Sequence, residues 1–268
     1  PMMSLLMDGT IERARDISEG NKYNNYGIHG TGLATAVDSL AAIKKYYFEE
    51  HCIDFDTWIN ALKDNFSQEP ELQQKLRNEA PKMGQDDDYV DLIAKDLLNS
   101  FDKALDKRVN ERGGIYRAGT GTAMYYIFHA TELGATPDGR KAEEKIPANY
   151  SPSLFIKQKG PMSVIKSFTK PDLKNTINGG PLTLEFDQSV FRNEESVAKL
   201  GMLVRTFITL GGHQLQLNTV CKEKLLDAKK HPENYRNLIV RVWGWSGYFV
   251  ELEECYQDHV INRIEFGI

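Results

Sequence analysis

The chain has 268 residues, of which 41% are apolar, and a formal net charge of -5, so it is long enough for one large domain or two small ones. No apolar run approaches the roughly 18 residues that a membrane span needs, and the start lacks a signal-peptide layout, so we expect a cytoplasmic protein with no membrane partner. Because lysine and arginine are interspersed with acidic residues, we expect no nucleic-acid partner.

The first predicted element is a helix over residues 31–50, because apolar residues recur there at every third or fourth position. Its buried face is predicted to hold Leu33, Val37, Leu40, Ile43 and Tyr47. The Gly- and Asn-rich segment 20–30 before it predicts a loop. The polar segment 64–88 after it predicts a surface excursion.

A second, longer helix is predicted over residues 89–112, with Gly113 and Gly114 as its stop. Its buried side is predicted to hold Val90, Ile93, Leu97, Phe101, Leu105 and Val109. The acidic run 86–88 fits a solvated helix start, since carboxylates favour the positive end of the helix dipole. Residues 136–140 contain the proline, aspartate and glycine of a tight turn.

Strands alternate with helices in the second half of the chain. The strands are predicted at residues 164–168, 182–186, 213–218 and 238–242, and the helices at residues 194–210, 222–230 and 251–265. The helix 194–210 is predicted to bury Val197, Leu200, Val204 and Phe207. The last strand is apolar at successive positions, as in a sheet covered on both faces. This alternation predicts an α/β architecture with parallel strands.

The last predicted strand leads into the motif Arg241-Val242-Trp243-Gly244-Trp245-Ser246-Gly247-Tyr248-Phe249-Val250. The motif resembles the glycyl radical signature, in which Arg-Val, one variable residue, Gly and an aromatic residue stand shortly before the C-terminus. In that family the glycine is the radical site, so the resemblance implies that Gly244 is catalytic. Gly247 competes with it, but occupies the place where the family usually has a small residue.

Glycine suits a backbone radical for a physical reason. An α-carbon radical is delocalised onto the flanking amide groups only if the centre can flatten, and a Cβ would crowd that arrangement. Two interpretations stay open for the neighbouring aromatic residues, which either exclude solvent and oxygen or pack as ordinary core. These residues are Trp243, Trp245, Tyr248 and Phe249. The competing hypothesis for Gly244 is a tight turn at a strand end.

Three further segments match the same family in the same order, so the resemblance covers essentially the whole chain. They are residues 39–45, 135–141 and 160–167. The resemblance implies the C-terminal part of a ten-stranded α/β barrel with the glycyl radical loop and a terminal helix. It divides the chain into a C-terminal part of a pyruvate formate-lyase-like barrel domain, residues 1–140, and a glycine radical domain, residues 141–268.

The resemblance also implies partners. A separate activating enzyme with an iron-sulfur cluster and S-adenosylmethionine installs the radical, which then passes to a cysteine whose thiyl attacks a small organic substrate. Cys52, Cys221 and Cys255 do not fit the family's cysteine motif, which lies upstream of the matched region. We therefore expect an upstream half of the same enzyme, assembled as a homo-oligomer. The six histidines include no metal-binding pair, so we expect no metal and no bound cofactor.

For the reaction, the tryptophans of the motif and the segment 211–218 resemble the fumarate-adding branch, typified by benzylsuccinate synthase. The alternatives are an arylacetate decarboxylase, a diol dehydratase and a formate acetyltransferase-like enzyme. Two hypotheses of other classes stay open. One is an autonomous spare-part protein that supplies a glycyl radical domain, and the other is a plain α/β binding protein in which Gly244 only makes a turn.

Overall fold

The computed structural model describes residues 2–122, 125–157, 159–242, 244–263 and 265–266. The α-helices are α1 Met2–Leu5, α2 Ile17–Gly20, α3 Leu33–Ile43, α4 Phe55–Lys63, α5 Pro70–Asn78, α6 Asp88–Leu105, α7 Tyr125–Glu132, α8 Pro161–Thr169, α9 Glu194–Thr209, α10 Lys222–Lys230 and α11 Glu254–Ile261. The strands are β1 Tyr26–His29, β2 Tyr116–Gly119, β3 Leu182–Asp187, β4 Leu215–Val220, β5 Ile239–Arg241, β6 Ser246–Tyr248 and β7 Glu265–Phe266.

The strands form three small sheets. β1 pairs with β2 in parallel, and β3 lies between β4 and β7, again with parallel pairing on both sides. β5 and β6 form an antiparallel hairpin. The predicted α/β architecture with parallel strands is therefore confirmed for the first two sheets. The last predicted strand, at residues 238–242, differs. Its counterpart β5 pairs antiparallel with β6, the next strand along the chain, through a short turn.

The main hydrophobic core lies between the β3–β4 sheet and helices α3, α6, α8 and α9. Its fully buried members include Val37, Val90, Phe168 and Phe186. A second cluster joins α7, α10 and α11 to β5, and a third holds α4 and α5 against the end of α3. Within the described part of the chain, no helix is long and apolar enough to cross a membrane.

The helix predicted over residues 31–50 is divided in two. α3 ends at Ile43, and a π-helix continues over Lys44–Glu49. The wider π turn shifts the side chains around the axis, so that Tyr46 is buried and Tyr47 only half-buried. Leu40 is exposed, which makes its predicted place in the core wrong.

The helix predicted over residues 89–112 is shorter than expected. α6 begins where the acidic run predicted, with the Asp87 side chain accepting a hydrogen bond from the backbone N–H of Tyr89, and ends at Leu105. Lys107 has a φ of 58°, which no helix continues through, and Val109 is 65% exposed rather than buried. The polar segment 64–88, predicted as a surface excursion, contains helix α5.

Three predictions in the second half are wrong in type or burial. Residues 164–168 form helix α8 instead of a strand, since Pro161 stands at its first turn and Val164, Ile165 and Phe168 are buried at helical spacing. In α9, Val197 is exposed and Leu203 takes the buried position. β5 is not covered on both faces, because its residue Ile239 is 60% exposed.

Candidate functional site

Gly244 lies at the tip of the β5–β6 hairpin. Below the tip, the backbone N–H of Val242 donates a hydrogen bond of 2.9 Å to the carbonyl of Trp245. Gly244 has a φ of 71°, a left-handed conformation that side chains disfavour and glycine adopts freely. Trp243 lies outside the described residues.

The space around Gly244 is open. A Cβ built on this residue would have no heavy atom within 4 Å, beyond its own chain neighbours, and the residue is exposed. Gly247 is different, because a Cβ there would lie 2.7 Å from Cζ3 of Trp245. Crowding therefore explains the glycine at position 247. At position 244 the structure favours glycine only because of the left-handed backbone conformation.

Gly244 borders a cavity of about 650 Å³. Its other lining residues are Gly121, Asn149, Pro181, His213, Gln214, Leu215, Gln216 and Arg241. Four of these residues, Asn149, His213, Gln214 and Gln216, have polar, uncharged side chains, and Arg241 adds a positive charge, so the cavity can form hydrogen bonds with a small polar molecule. The hairpin tip, the start of β4 and the loop before β3 thus meet around one space.

Gln214 fixes the wall that faces the hairpin. Its side-chain Oε1 accepts a hydrogen bond of 2.7 Å from the N–H of Gly180, and its backbone carbonyl accepts one of 3.0 Å from Leu182. Gly180 approaches Thr120 so closely that a Cβ would fall 2.1 Å from the Thr120 hydroxyl oxygen. Glycine is therefore required where the loop before β3 crosses the end of β2.

Two histidines lie near the cavity, and partial desolvation favours the neutral form of each. Desolvation lowers the pKa of His213, which lines the cavity, and that of His29, which lies beneath Gly121. Nδ1 of His29 accepts a hydrogen bond of 3.0 Å from the N–H of Gly121. Nε2 lies 2.6 Å from the amide of Asn178. These contacts join β1 to the loop that lines the cavity.

Arg263, just beyond α11, anchors the stem of the hairpin. Its Nη1 donates to the carbonyl of Arg241 at 2.7 Å, and its Nη2 donates to the carbonyl of Val242 at 2.8 Å. The same guanidinium forms an ion pair with Glu185 of β3 at 3.0 Å. The guanidinium therefore connects the two residues that enter the tip with the central strand of the β4–β3–β7 sheet.

Glu185 is itself held from a second side. Its Oε1, which contacts Arg263, also accepts a hydrogen bond of 2.8 Å from Nδ2 of Asn218 on β4. Burial raises the pKa of Glu185, while Arg263 and Asn218 act to lower it. The anchor of the hairpin is thus a buried polar network rather than a single contact.

The other predicted site residues divide between core and surface. Phe249 is buried in the cluster with α10 and α11, as expected for core packing, whereas Trp245 and Tyr248 are partly exposed. Cys52 is exposed, and Cys221 and Cys255 are half-buried free thiols. In the described ranges, no group of three or more His, Cys, Asp or Glu side chains is arranged to hold a metal ion.

The sequence predicted the hairpin glycine but not its surroundings. Segment 211–218 contains a predicted strand and resembles one branch of the family, yet nothing in it predicts that it supplies four lining residues, His213, Gln214, Leu215 and Gln216. Nothing local in the sequence marks Glu185 or Arg263, because 77 other residues separate them along the chain and only the fold brings them together.

Sequence comparison matches residues 1–128 to the family described as pyruvate formate lyase-like, and residues 147–250 to the family described as glycine radical. The chain is 36% identical over 266 residues to a trans-4-hydroxy-L-proline dehydratase of Clostridioides difficile, an alignment that covers 99% of this chain and 34% of that protein. It is 37% identical over 274 residues to the probable dehydratase YbiW of Escherichia coli, covering 98% of this chain and 34% of that protein.

Comparison with solved structures also finds similarity to a dehydratase. The glycerol-bound B12-independent glycerol dehydratase of Clostridium butyricum superposes on 100% of this chain and 34% of its own, with a TM-score of 0.94 and 32% sequence identity. The chain therefore spans about a third of the length of the curated relatives that it matches.

Proposed function

The chain belongs to the glycyl radical enzyme family, as a C-terminal portion of the pyruvate formate lyase-like type, and on that premise we propose that it stores the radical of a dehydratase on the Cα of Gly244. One observation carries the assignment to this residue. Gly244 stands within the segment matched to the glycine radical family, at a hairpin tip that borders the cavity and leaves open space around the Cα.

The proposed chemistry is a series of hydrogen transfers. The Gly244 radical takes a hydrogen atom from a cysteine thiol, which restores the glycine CH2 and leaves a thiyl radical. The thiyl takes a hydrogen atom from a substrate carbon next to a hydroxyl-bearing carbon. The C–O bond then breaks, the hydroxyl leaves with a proton as water, and the product radical recovers its hydrogen from the cysteine. The contribution of this chain is to hold Gly244 in place and to line the cavity.

The motif around Gly244 resembles the fumarate-adding branch, but dehydration is favoured over addition to fumarate. The relatives described above are dehydratases, and none of them belongs to the fumarate-adding branch. The amide and imidazole side chains that line the cavity can also form hydrogen bonds with a small hydroxylated molecule. Of the alternatives raised by the sequence, the diol dehydratase type thus has the stronger support. An experiment is needed to distinguish dehydration from decarboxylation of an arylacetate.

The remaining parts of the proposal follow from the family. The reacting cysteine is supplied by a barrel outside this chain, of which residues 1–140 form the C-terminal part, and residues 141–268 form the glycine radical domain. An activating enzyme that uses S-adenosylmethionine and an iron-sulfur cluster installs the radical in the cytoplasm, and the assembled enzyme is a homo-oligomer.

The first experiment locates the radical. The chain is treated anaerobically with an activating enzyme and S-adenosylmethionine, and its electron paramagnetic resonance spectrum is recorded. We expect a doublet, because the radical couples to the one remaining Cα hydrogen. The Gly244→Ala variant should give no doublet, whereas Gly113→Ala, at a glycine with a φ of 75° and equally open space, should keep it. A doublet that persists in Gly244→Ala would refute the assignment.

Oxygen supplies an independent readout. Exposure of the activated chain to air should cut the backbone at Gly244, and mass spectrometry of the two fragments gives the position directly. The reaction class is then tested with the full polypeptide that carries this chain. Hydroxylated substrates, an arylacetate, and fumarate with a hydrocarbon are offered in parallel. Release of water without addition to fumarate is the expected result, and a fumarate adduct would restore the first interpretation.

A further inference from the structure

We propose that Arg263 is a positioning residue for hydrogen transfer at Gly244. The inference rests on the proposed function, since it concerns the same glycine. Arg263 lies 19 positions after Gly244 in the sequence and donates hydrogen bonds to backbone carbonyls of the hairpin. The contacts are made to Arg241 and Val242, so the side chain acts on the stem and leaves the reacting carbon free.

Arg263 sets the position of the hairpin tip through its hydrogen bonds to the stem. Among the described residues, no heavy atom beyond the chain neighbours lies within 4 Å of a Cβ built on Gly244. The position of Gly244 therefore follows from the position of the hairpin stem. Two parallel donors of one planar guanidinium hold two successive carbonyls, which fixes both the position and the direction of the chain that enters the tip. A single hydrogen bond would fix only the position.

Arg263 also joins the hairpin to the β4–β3–β7 sheet, because the Nη1 atom that donates to the Arg241 carbonyl contacts Glu185 as well. Glu185 lies in the middle of β3, the strand that pairs with both β4 and β7, and its side chain is 3% exposed, against 5% for Arg263. Asn218 of β4 holds the same carboxylate oxygen. Displacement of the hairpin would leave buried charges and carbonyls without these partners, so the network opposes it.

Hydrogen transfer is unusually sensitive to such positioning, because the donor and acceptor atoms must approach closely. A misplacement of about 1 Å can slow a reaction by about a hundredfold. We therefore expect loss of the guanidinium fork to slow hydrogen exchange between Gly244 and the cysteine by about tenfold or more. The quantity of radical that the activating enzyme installs should change much less, since that step involves another protein.

The test measures this exchange without a substrate. In the full polypeptide that carries this chain, the cysteine thiol exchanges its hydrogen with solvent. In deuterium oxide the Gly244 radical takes deuterium from the thiol, and on the return step the Cα keeps deuterium in place of hydrogen. The doublet then collapses, and the rate of collapse reports the transfer. Three variants are compared with the wild type: Arg263→Lys, Arg263→Met and the control Lys229→Gln.

The lysine variant keeps a positive charge beside Glu185 but has no planar fork for two carbonyls. The control removes the ion pair of 2.5 Å between Lys229 of α10 and Asp258 of α11, and so loosens the same terminal helix without contact to the hairpin. We expect slower collapse in both Arg263 variants, an unchanged rate in Lys229→Gln, and melting temperatures that do not follow the rates.

Distinct results separate this inference from the proposed function. If the wild type forms no radical at Gly244, the proposed function fails. If the wild type forms it and both Arg263 variants exchange at the wild-type rate, only the role of Arg263 is refuted. Failure of both Arg263 variants to fold would also overturn the inference, because the residue would then be needed for stability alone.

Discussion

Nη1 of Arg263 lies 3.0 Å from Oε1 of Glu185, and both side chains are buried. A buried ion pair of this kind contributes little net stability when intact, but removal of one charge leaves the other without compensation. The stability of the hairpin network is therefore sensitive to a substitution that removes one of these two charges, even when the new side chain has almost the same shape.

Replacement of Glu185 by glutamine should lower the free energy of unfolding by about 3 kcal/mol, because the buried Arg263 charge loses the negative charge of the Glu185 carboxylate. Denaturant unfolding measures the change. The control is Glu195→Gln, which removes an exposed pair of 2.9 Å with Lys199 and should cost at most about 0.5 kcal/mol. Equal effects at the two positions would contradict the prediction.

Replacement of Gly244 by alanine should leave the fold intact. The left-handed φ of 71° costs a side chain about 1 kcal/mol, and no neighbour obstructs the added methyl group. Gly113→Ala is a matched control, since that glycine has a φ of 75° and equally open space. Thermal unfolding should give similar small losses for both, so that a missing radical in Gly244→Ala cannot be attributed to misfolding. A much larger loss at position 244 would refute this.

Replacement of Gly180 by alanine should be severe. The added Cβ would fall 2.1 Å from the Thr120 hydroxyl oxygen and 2.5 Å from the backbone nitrogen of Gly121, so backbone must move. We expect a loss of about 3 kcal/mol or more in unfolding free energy.

The control for that substitution is Gly201→Ala in α9, where the added methyl group meets nothing within 4 Å. Alanine favours a helix over glycine by about 1 kcal/mol, so this variant should be more stable than the wild type. Denaturant unfolding of the two variants should thus shift in opposite directions. A shift in the same direction would count against the close approach between the loop and β2.

Replacement of Asp38 by asparagine should change how stability depends on pH. Burial raises the pKa of Asp38 to about 7, although its carboxylate accepts hydrogen bonds from Met83 and Ser153. Because the folded state binds this proton more tightly than the unfolded state, the stabilising contribution is complete below the unfolded pKa and is lost as the pH rises through about 7.

Unfolding of wild type and Asp38→Asn at about pH 5 and about pH 8 measures this effect, and the variant should gain about 2 kcal/mol relative to the wild type at the higher pH. Asparagine keeps an acceptor for the Met83 N–H and never ionises. Parallel pH profiles for the two proteins would show that Asp38 does not titrate in this range.

By itself, the sequence determined the elements whose signals are local. The start of α6, the bounds of α10 and the parallel direction of strands such as β3 and β4 follow from capping residues, helical spacing and the alternation of helices with strands. The motif around Gly244 likewise stands in one continuous segment, so the glycine was found without a fold. Its role as the radical site stays a prediction until the radical is measured.

Only the tertiary structure decided the rest. Whether residues 164–168 form a strand or a helix depends on what packs against them, because Val164, Ile165 and Phe168 fit either period over so short a run. The π-helix after α3 and the exposure of Val109 likewise follow from packing. The network of Glu185, Asn218 and Arg263 was invisible in the sequence, since contacts between distant segments form only when the chain brings them together.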